Sequence, residues 1–299
     1  MKKWIFIFGL LIAMLAGCSS SPDYKVDITK PLYFQQDHES SFEIKVTENK
    51  KPVTGLDISA ELSMANMDHG DAKVVLKEEQ KGLYSGKVKL EMDGKYEMAF
   101  TLKKDNKKAE KVFDYEVKKP KGVASINGEW IKDEDLKFYE LINRIQFAIN
   151  RETAQKKYSG KQLEDEIAYL DSQEKTLDDK NQLLTQIIRL RSMAMLAEEK
   201  GHKASTEDVN AALAKAQQQY EQFDSAKKLI QQFGEDKFWS IEKQQYKLIV
   251  LTQQIQKDVI AKVKKENPQM GEQEINFQAQ KDYEDLLVEQ INSLKIEIL

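Results

Sequence analysis

A chain of 299 residues, 40% hydrophobic and 32% charged, is about twice the length of a usual domain and carries enough apolar material for two cores. Its 46 Lys and Arg against 50 Asp and Glu give a net charge of −4, or −6 once Lys2 and Lys3 are removed with the first seventeen residues, which argues against a nucleic-acid partner. A mean hydropathy of −0.62 excludes a polytopic membrane protein, and the single cysteine, Cys18, excludes an intramolecular disulfide framework or a Cys-rich metal site.

The chain opens with Lys2 and Lys3 followed by an apolar run over residues 4–16. That run is shorter than the roughly 20 residues a membrane-spanning helix needs, and it has the form of a signal-peptide core, so residues 1–17 read as an export signal. It ends in Leu15-Ala16-Gly17-Cys18, which resembles the lipobox of bacterial lipoproteins. The resemblance implies that the Cys18 thiol receives diacylglycerol, that the mature chain starts there, and that the protein sits on the outer face of the cytoplasmic membrane. A two-chain anchor holds stably where a single acyl chain does not. The alternative is an ordinary secretory signal that leaves a free thiol. Residues 18–23, with Ser19-Ser20-Ser21-Pro22, form the tether.

From 24 to 118 apolar and polar residues alternate, as in Phe42/Ile44/Val46, Ile58/Ala60/Leu62/Met64, Tyr84/Gly86/Val88/Leu90/Met92, Tyr96/Met98/Phe100/Leu102 and Phe113/Tyr115/Val117. Period two predicts strands with one buried face. Turn residues separate them at 49–52, 66–71, 81–82, 93–94 and 104–106. With strands near 24–28 and 74–76 the count is about seven, which suits an all-β, immunoglobulin-like sandwich.

A basic linker at 119–122 ends this pattern, and helical periodicity follows over 123–299. Asp133 is expected to cap a first helix carrying Phe138, Leu141, Ile142, Ile145 and Ile149. A second run, Leu183 to Met195, ends at Gly201, and Ser205 with Asp208 makes a capping-box-like start for a third. A short helix from Ser225 stops at Gly234, a long one runs toward Pro268, and the last covers about 272–293. The edges of this mainly α-helical half, 123–126 and 296–299, are strand-like and could pair with each other.

Two family resemblances rest on these residues. Met64-Ala65-Asn66-Met67-Asp68-His69-Gly70, Gly82-Leu83-Tyr84-Ser85-Gly86 and Asp93-Gly94-Lys95-Tyr96 make 52–102 similar to the YtkA-like (FixH-related) domain, with Tyr96 where that family has Trp. Val123-Ala124-Ser125-Ile126-Asn127-Gly128-Glu129-Trp130-Ile131, the run 183–199, and Gly201-His202-Lys203-Ala204-Ser205 make the second half resemble the SurA N-terminal-like chaperone domain of PrsA-type foldases. That resemblance implies a helical cradle for unfolded client segments. The 34 residues after Lys265 leave no room for the parvulin isomerase domain of such foldases.

Two kinds of site follow. Met64, Met67 and His69 offer two thioethers and an imidazole around one turn, a donor set that selects Cu(I), with His38, Met92 or Met98 as further donors. Against this, Met64 continues the inward series of its strand. For clients, Met193, Met195, Tyr220, Phe223, Phe233, Phe238 and Trp239 are candidate apolar contacts, although helical spacing equally places them in the core. No hydrolase elbow, zinc-protease or phosphate-loop motif occurs, and no catalytic residue is assigned. His202 follows Gly201 at a helix end, a structural position. The sequence therefore predicts a membrane-anchored, non-catalytic chaperone or assembly factor for exported proteins. The alternative is a copper-binding lipoprotein that assists metal delivery to a respiratory oxidase or another membrane partner.

Overall fold

The computed structural model describes residues 22–64 and 70–299, and the chain divides into one compact unit ending at Pro120 and another beginning at Lys121. Cys18, Met67 and His69 lie outside the described residues.

The first unit is an antiparallel β-sandwich that is nearly a barrel. Its strands are β1 (Lys25–Lys30), β2 (Glu39–Glu48), β3 (Lys51–Pro52), β4 (Asp57–Met64), β5 (Ala72–Gln80), β6 (Leu83–Lys89), β7 (Gly94–Lys104) and β8 (Lys107–Val117). They hydrogen-bond in the order β1-β2-β6-β5-β4-β7-β8, with the short β3 on β2. The path is continuous because β5 changes partner along its length. Residues 72–76 pair with β4, and from Lys77 onward the strand pairs with β6 through a register shift at Glu78/Gln80. Such an irregularity bends a strand and lets it turn the corner between two layers.

Alternation places Phe42, Ile44 and Val46 of β2 against Ile58, Ala60 and Leu62 of β4 and Met98, Phe100 and Leu102 of β7, all buried in one core. Phe100 stands edge-on to Phe42 and Phe113, at centroid distances of 6.4 and 5.9 Å. Two departures from simple alternation are instructive. β6 ends at Lys89, so Met92 sits half-buried in the turn instead of on the strand. β3 is too short to carry a period, and only its two pairs with Thr47 and Glu48 reveal it.

Seven long strands running alternately up and down bring the chain into the sandwich at one end and out at the other. The entry end gathers the turns at 49–50, 81–82 and 105–106, and it is closed by hydrogen bonds that meet on 53–56. The Tyr84 hydroxyl donates to the Val53 carbonyl and accepts from the Leu56 amide, at 2.9 and 3.1 Å. Lys104 Nζ reaches the Thr54 carbonyl at 2.7 Å. Glu78 accepts from the Gly55 and Gly82 amides, and these bonds hold its carboxyl below the usual carboxylate range. Gly82 has φ +74°, and a Cβ there would lie 2.6 Å from Pro52 Cβ, so this turn requires glycine.

The second unit opens with a small sheet, β9 (Ala124–Ile126) between β10 (Glu129–Ile131) and β11 (Ile296–Ile298), both antiparallel to it. First and last strands of the unit are thereby neighbours. Gly122 lies so close to β10 that a Cβ would fall 2.1 Å from the Ile131 carbonyl oxygen, so this part of the expected linker is packed structure.

Seven helices follow: α1 (Asp133–Lys157), α2 (Gly160–Glu174), α3 (Lys180–Glu199), α4 (Thr206–Tyr220), α5 (Asp224–Phe233), α6 (Glu235–Glu266) and α7 (Glu272–Ser293). The cap of α1 differs from expectation: Asp133 is its first helical residue, and the Lys132 amide donates to the Asp135 carboxylate at 2.8 Å. Asp179 caps α3 by accepting from the Asn181 and Gln182 amides, and Ser205 caps α4 by accepting from the Asp208 amide. α5 is stapled to α1 because Glu152 accepts from both the amide and the hydroxyl of Ser225. Together with Lys156 those bonds hold the Glu152 carboxyl at about 2.

Helix α2 has no counterpart in the sequence reading. Leu170 is its only buried residue, so its apolar stripe is too thin to announce it. Among the described residues, no helix is long and apolar enough to cross a membrane.

Candidate functional site

The helical unit does not fill around one centre. Three clusters divide its interior: α3, α6 and α7 around Leu251 and Ile255; the small sheet with α1 and α3 around Ile131 and Ile187; and α1, α5 and α6 around Phe138 and Phe238. Between α3, α6 and the small sheet lies an open groove of about 1080 Å³. Ala194 and Met195 of α3, Ile241, Leu248 and Leu251 of α6, and Ile126 of β9 supply its apolar lining. The spacing 241, 244, 245, 248, 251 along α6 is one helix face, which explains how a single helix furnishes a whole wall.

Polar groups edge this groove, and a few of them hold partners. Arg191 pairs with Asp135 at 3.0 Å and donates to the Trp130 carbonyl at 3.2 Å. The Tyr139 hydroxyl donates to Gln245 Oε1 at 2.8 Å, and burial pushes that hydroxyl's pKa up. His202 Nε2 lies 2.6 Å from Asp258 Oδ2, and Gly201, at φ +86°, turns the chain out of α3 so that His202 can reach it.

Behind Tyr139 stands Glu242, 4% exposed among aromatic residues of α1, α4 and α6. Burial alone raises its carboxyl to about 7. The sequence reading missed this group, although its place in the apolar stripe between Phe238 and Tyr246 was visible.

Of the seven residues considered for client contact, Met195 lines the groove. Met193 and Phe238 are sealed in the core, and Tyr220, Phe223, Phe233 and Trp239 pack against the Phe138 cluster. Arg191, Gln245, Leu248 and Leu251 complete the groove from positions far apart in sequence.

The second candidate site lies at the exit end of the sandwich. Met64 closes β4 opposite Tyr96, half-buried, and lines a cleft of about 230 Å³ with Leu62, Gly70, Asp71, Leu90 and Tyr96. Asp71 accepts from the Ser63 hydroxyl at 2.6 Å, which lowers its pKa. Of the further donors considered, Met92 and the exposed His38 flank this end, whereas Met98 is fully buried and paired with Leu62 inside the core. Among the described residues, no group of three His, Cys, Asp or Glu side chains is placed to hold a metal ion.

Comparison with known proteins adds one finding for the chain. A family model described as YtkA-like matches residues 19–101, a YtkA-like domain that spans β1 to most of β7 and includes the Met64 cleft. No curated protein and no solved structure matches the chain.

Proposed function

We propose that this is a lipid-anchored extracytoplasmic protein whose helical unit, read as a SurA N-terminal-like domain behind an immunoglobulin-like sandwich, holds exposed segments of exported proteins without catalysing a reaction on them. The observation that carries this reading is the groove over Met195, Leu248 and Leu251. An unfolded chain presents apolar side chains in no fixed order, and an open groove in which a flexible thioether, Met195, stands beside Leu248 can accommodate many of them. Arg191, paired with Asp135, and His202, hydrogen-bonded to Asp258, stand along its edge. In this reading Cys18 carries the anchor and nucleic acid is not a partner. The test is aggregation of a reduced, unfolded client in the presence of the mature chain. Wild type suppresses it at severalfold molar excess and Leu248→Asp does not; failure of wild type removes the proposal.

A second reading is favoured by the position of Met64. Its half-buried side chain lines the cleft that Gly70 and Asp71 border. Met64, Met67 and His69 would hold Cu(I) there, and the soft thioether of Met64 suits that ion. Titration with Cu(I) against a competing chelator separates the readings. Binding weakened at least tenfold by Met67→Ala and by His69→Ala supports the copper site, and equal, weak binding by all three proteins rejects it.

A further inference from the structure

Helix α6 carries one residue that packing alone does not explain. Glu242 is 4% exposed in the apolar stripe between Phe238 and Tyr246, and among the described residues no hydrogen bond or ion pair reaches its carboxylate. The titratable groups around it are phenols: its charge acts on the hydroxyls of Tyr139 on α1, Tyr220 on α4 and Tyr246 on α6. The cations of the neighbouring helices are engaged or turned outward. Arg191 of α3 is taken up by Asp135 and the Trp130 carbonyl, and Arg144 of α1 by Glu140. Lys215 of α4 and Lys227 and Lys228 of α5 are exposed. Lys243 follows Glu242 directly, and adjacent positions of a helix do not share a face. An ionised carboxylate in this setting must be hydrated.

Water has a short way to it. On α6, Glu242 is flanked on one side by Ile241 and Gln245, which line the groove, and on the other by Tyr246, which lines a smaller cleft of about 410 Å³ against α4. Ile241 also packs against the Phe138 cluster, and Gln245 accepts the Tyr139 hydroxyl at 2.8 Å. The two residues that wall the groove here thus also hold α6 against α1, beside the carboxylate.

We propose that the groove holds client while Glu242 is protonated and releases it once Glu242 ionises. This rests on the reading of the groove as the holding site. Hydrating the charged carboxylate loosens Ile241 and Gln245 and so disturbs a wall of the groove, while a client lying on that wall keeps water out and favours the neutral acid. Client binding therefore takes up a proton, and holding weakens as pH rises through about 7, where burial sets this carboxyl. Between about pH 6 and about pH 8 the neutral fraction falls about tenfold, which is the largest loss of affinity that one proton can produce over this interval.

The test measures binding of an unfolded peptide to the mature chain at these two pH values. The peptide is rich in Leu and Val, free of His and blocked at both ends, so that it does not titrate itself. Wild type should bind at least about fivefold more weakly at the higher pH. Glu242→Gln and Glu242→Met, which fill the same space without a charge, should bind alike at both. His202, hydrogen-bonded to Asp258 at the groove edge, is present in all three proteins, so a dependence that arises there persists in the variants. Hydrogen exchange of wild type without peptide is a second measurement that needs no variant. After correction for intrinsic rates, residues 238–248 should lose protection at the higher pH relative to α7, and unchanged protection overturns the linkage. Equal wild-type affinity at the two pH values, tighter binding at the higher one, or a dependence that both variants keep overturns it as well and leaves the holding reading in place. Absence of binding at both pH values removes the holding reading and this inference together.

Discussion

The sandwich and the helical unit bury their apolar residues in different ways. Every long strand of the sandwich contributes to one continuous core centred on Phe42 and Phe100, whereas the helical unit divides its interior into three smaller clusters. A single core makes a stiff body whose parts fail together. A divided one leaves seams, and at a seam the helical unit keeps both its groove and the buried carboxylate of Glu242. The contrast teaches that one chain can build one unit around a single core and another around a partitioned one, and that the partition is where an open groove is left.

The sharpest way to break this comparison is to remove the centre of the sandwich. Phe100→Ala deletes a ring that is 1% exposed and touches two others, so it should cost about 3–5 kcal/mol. Calorimetry should show the sandwich transition lowered and the helical transition unmoved; a shift of both would mean that the two cores are not separate.

Gly122→Ala should act on the helical unit alone. The added Cβ meets the Ile131 carbonyl oxygen, and overpacking against backbone at the small sheet should cost about 2–3 kcal/mol, read as a lower denaturant midpoint for the helical transition.

The smallest effect is the most specific. Folding raises the Glu242 carboxyl from 4.5 to about 7. The folded state therefore holds a proton that the unfolded state has lost, so stability is full below about 4.5 and declines as pH rises through about 7. Glu242→Gln carries no such charge and should match wild type near pH 4.5 while exceeding it increasingly as the pH rises through about 7. Identical pH profiles for the two proteins would show that the seam around Glu242 is wetter than its burial indicates.

Much of the architecture was legible because its signals are local. Alternation from Phe42 to Tyr115 announced the strands, and the switch to helical spacing after residue 122 announced the helices. Features whose signals are weak or distributed were not legible. β3 is two residues long, α2 buries one side chain, and Met92 follows the alternation of β6 but falls past its last paired residue. The groove was legible only at Met195, since its walls come from positions between 126 and 251 that only tertiary packing brings together. Most of the aromatic residues set out as client contacts are core for the same reason: helical spacing identifies a buried face without saying what covers it.

The central claim is that the groove of the helical unit receives unfolded chain. A photo-crosslinking amino acid at Gln244, on the groove wall, tests it most directly when compared with one at Tyr169, exposed on α2 away from the groove. The account predicts that a reduced, unfolded client is captured from position 244 at least about tenfold more than from 169, and that its folded form is captured from neither. Equal capture from both positions, or capture of folded and unfolded client alike, would contradict it.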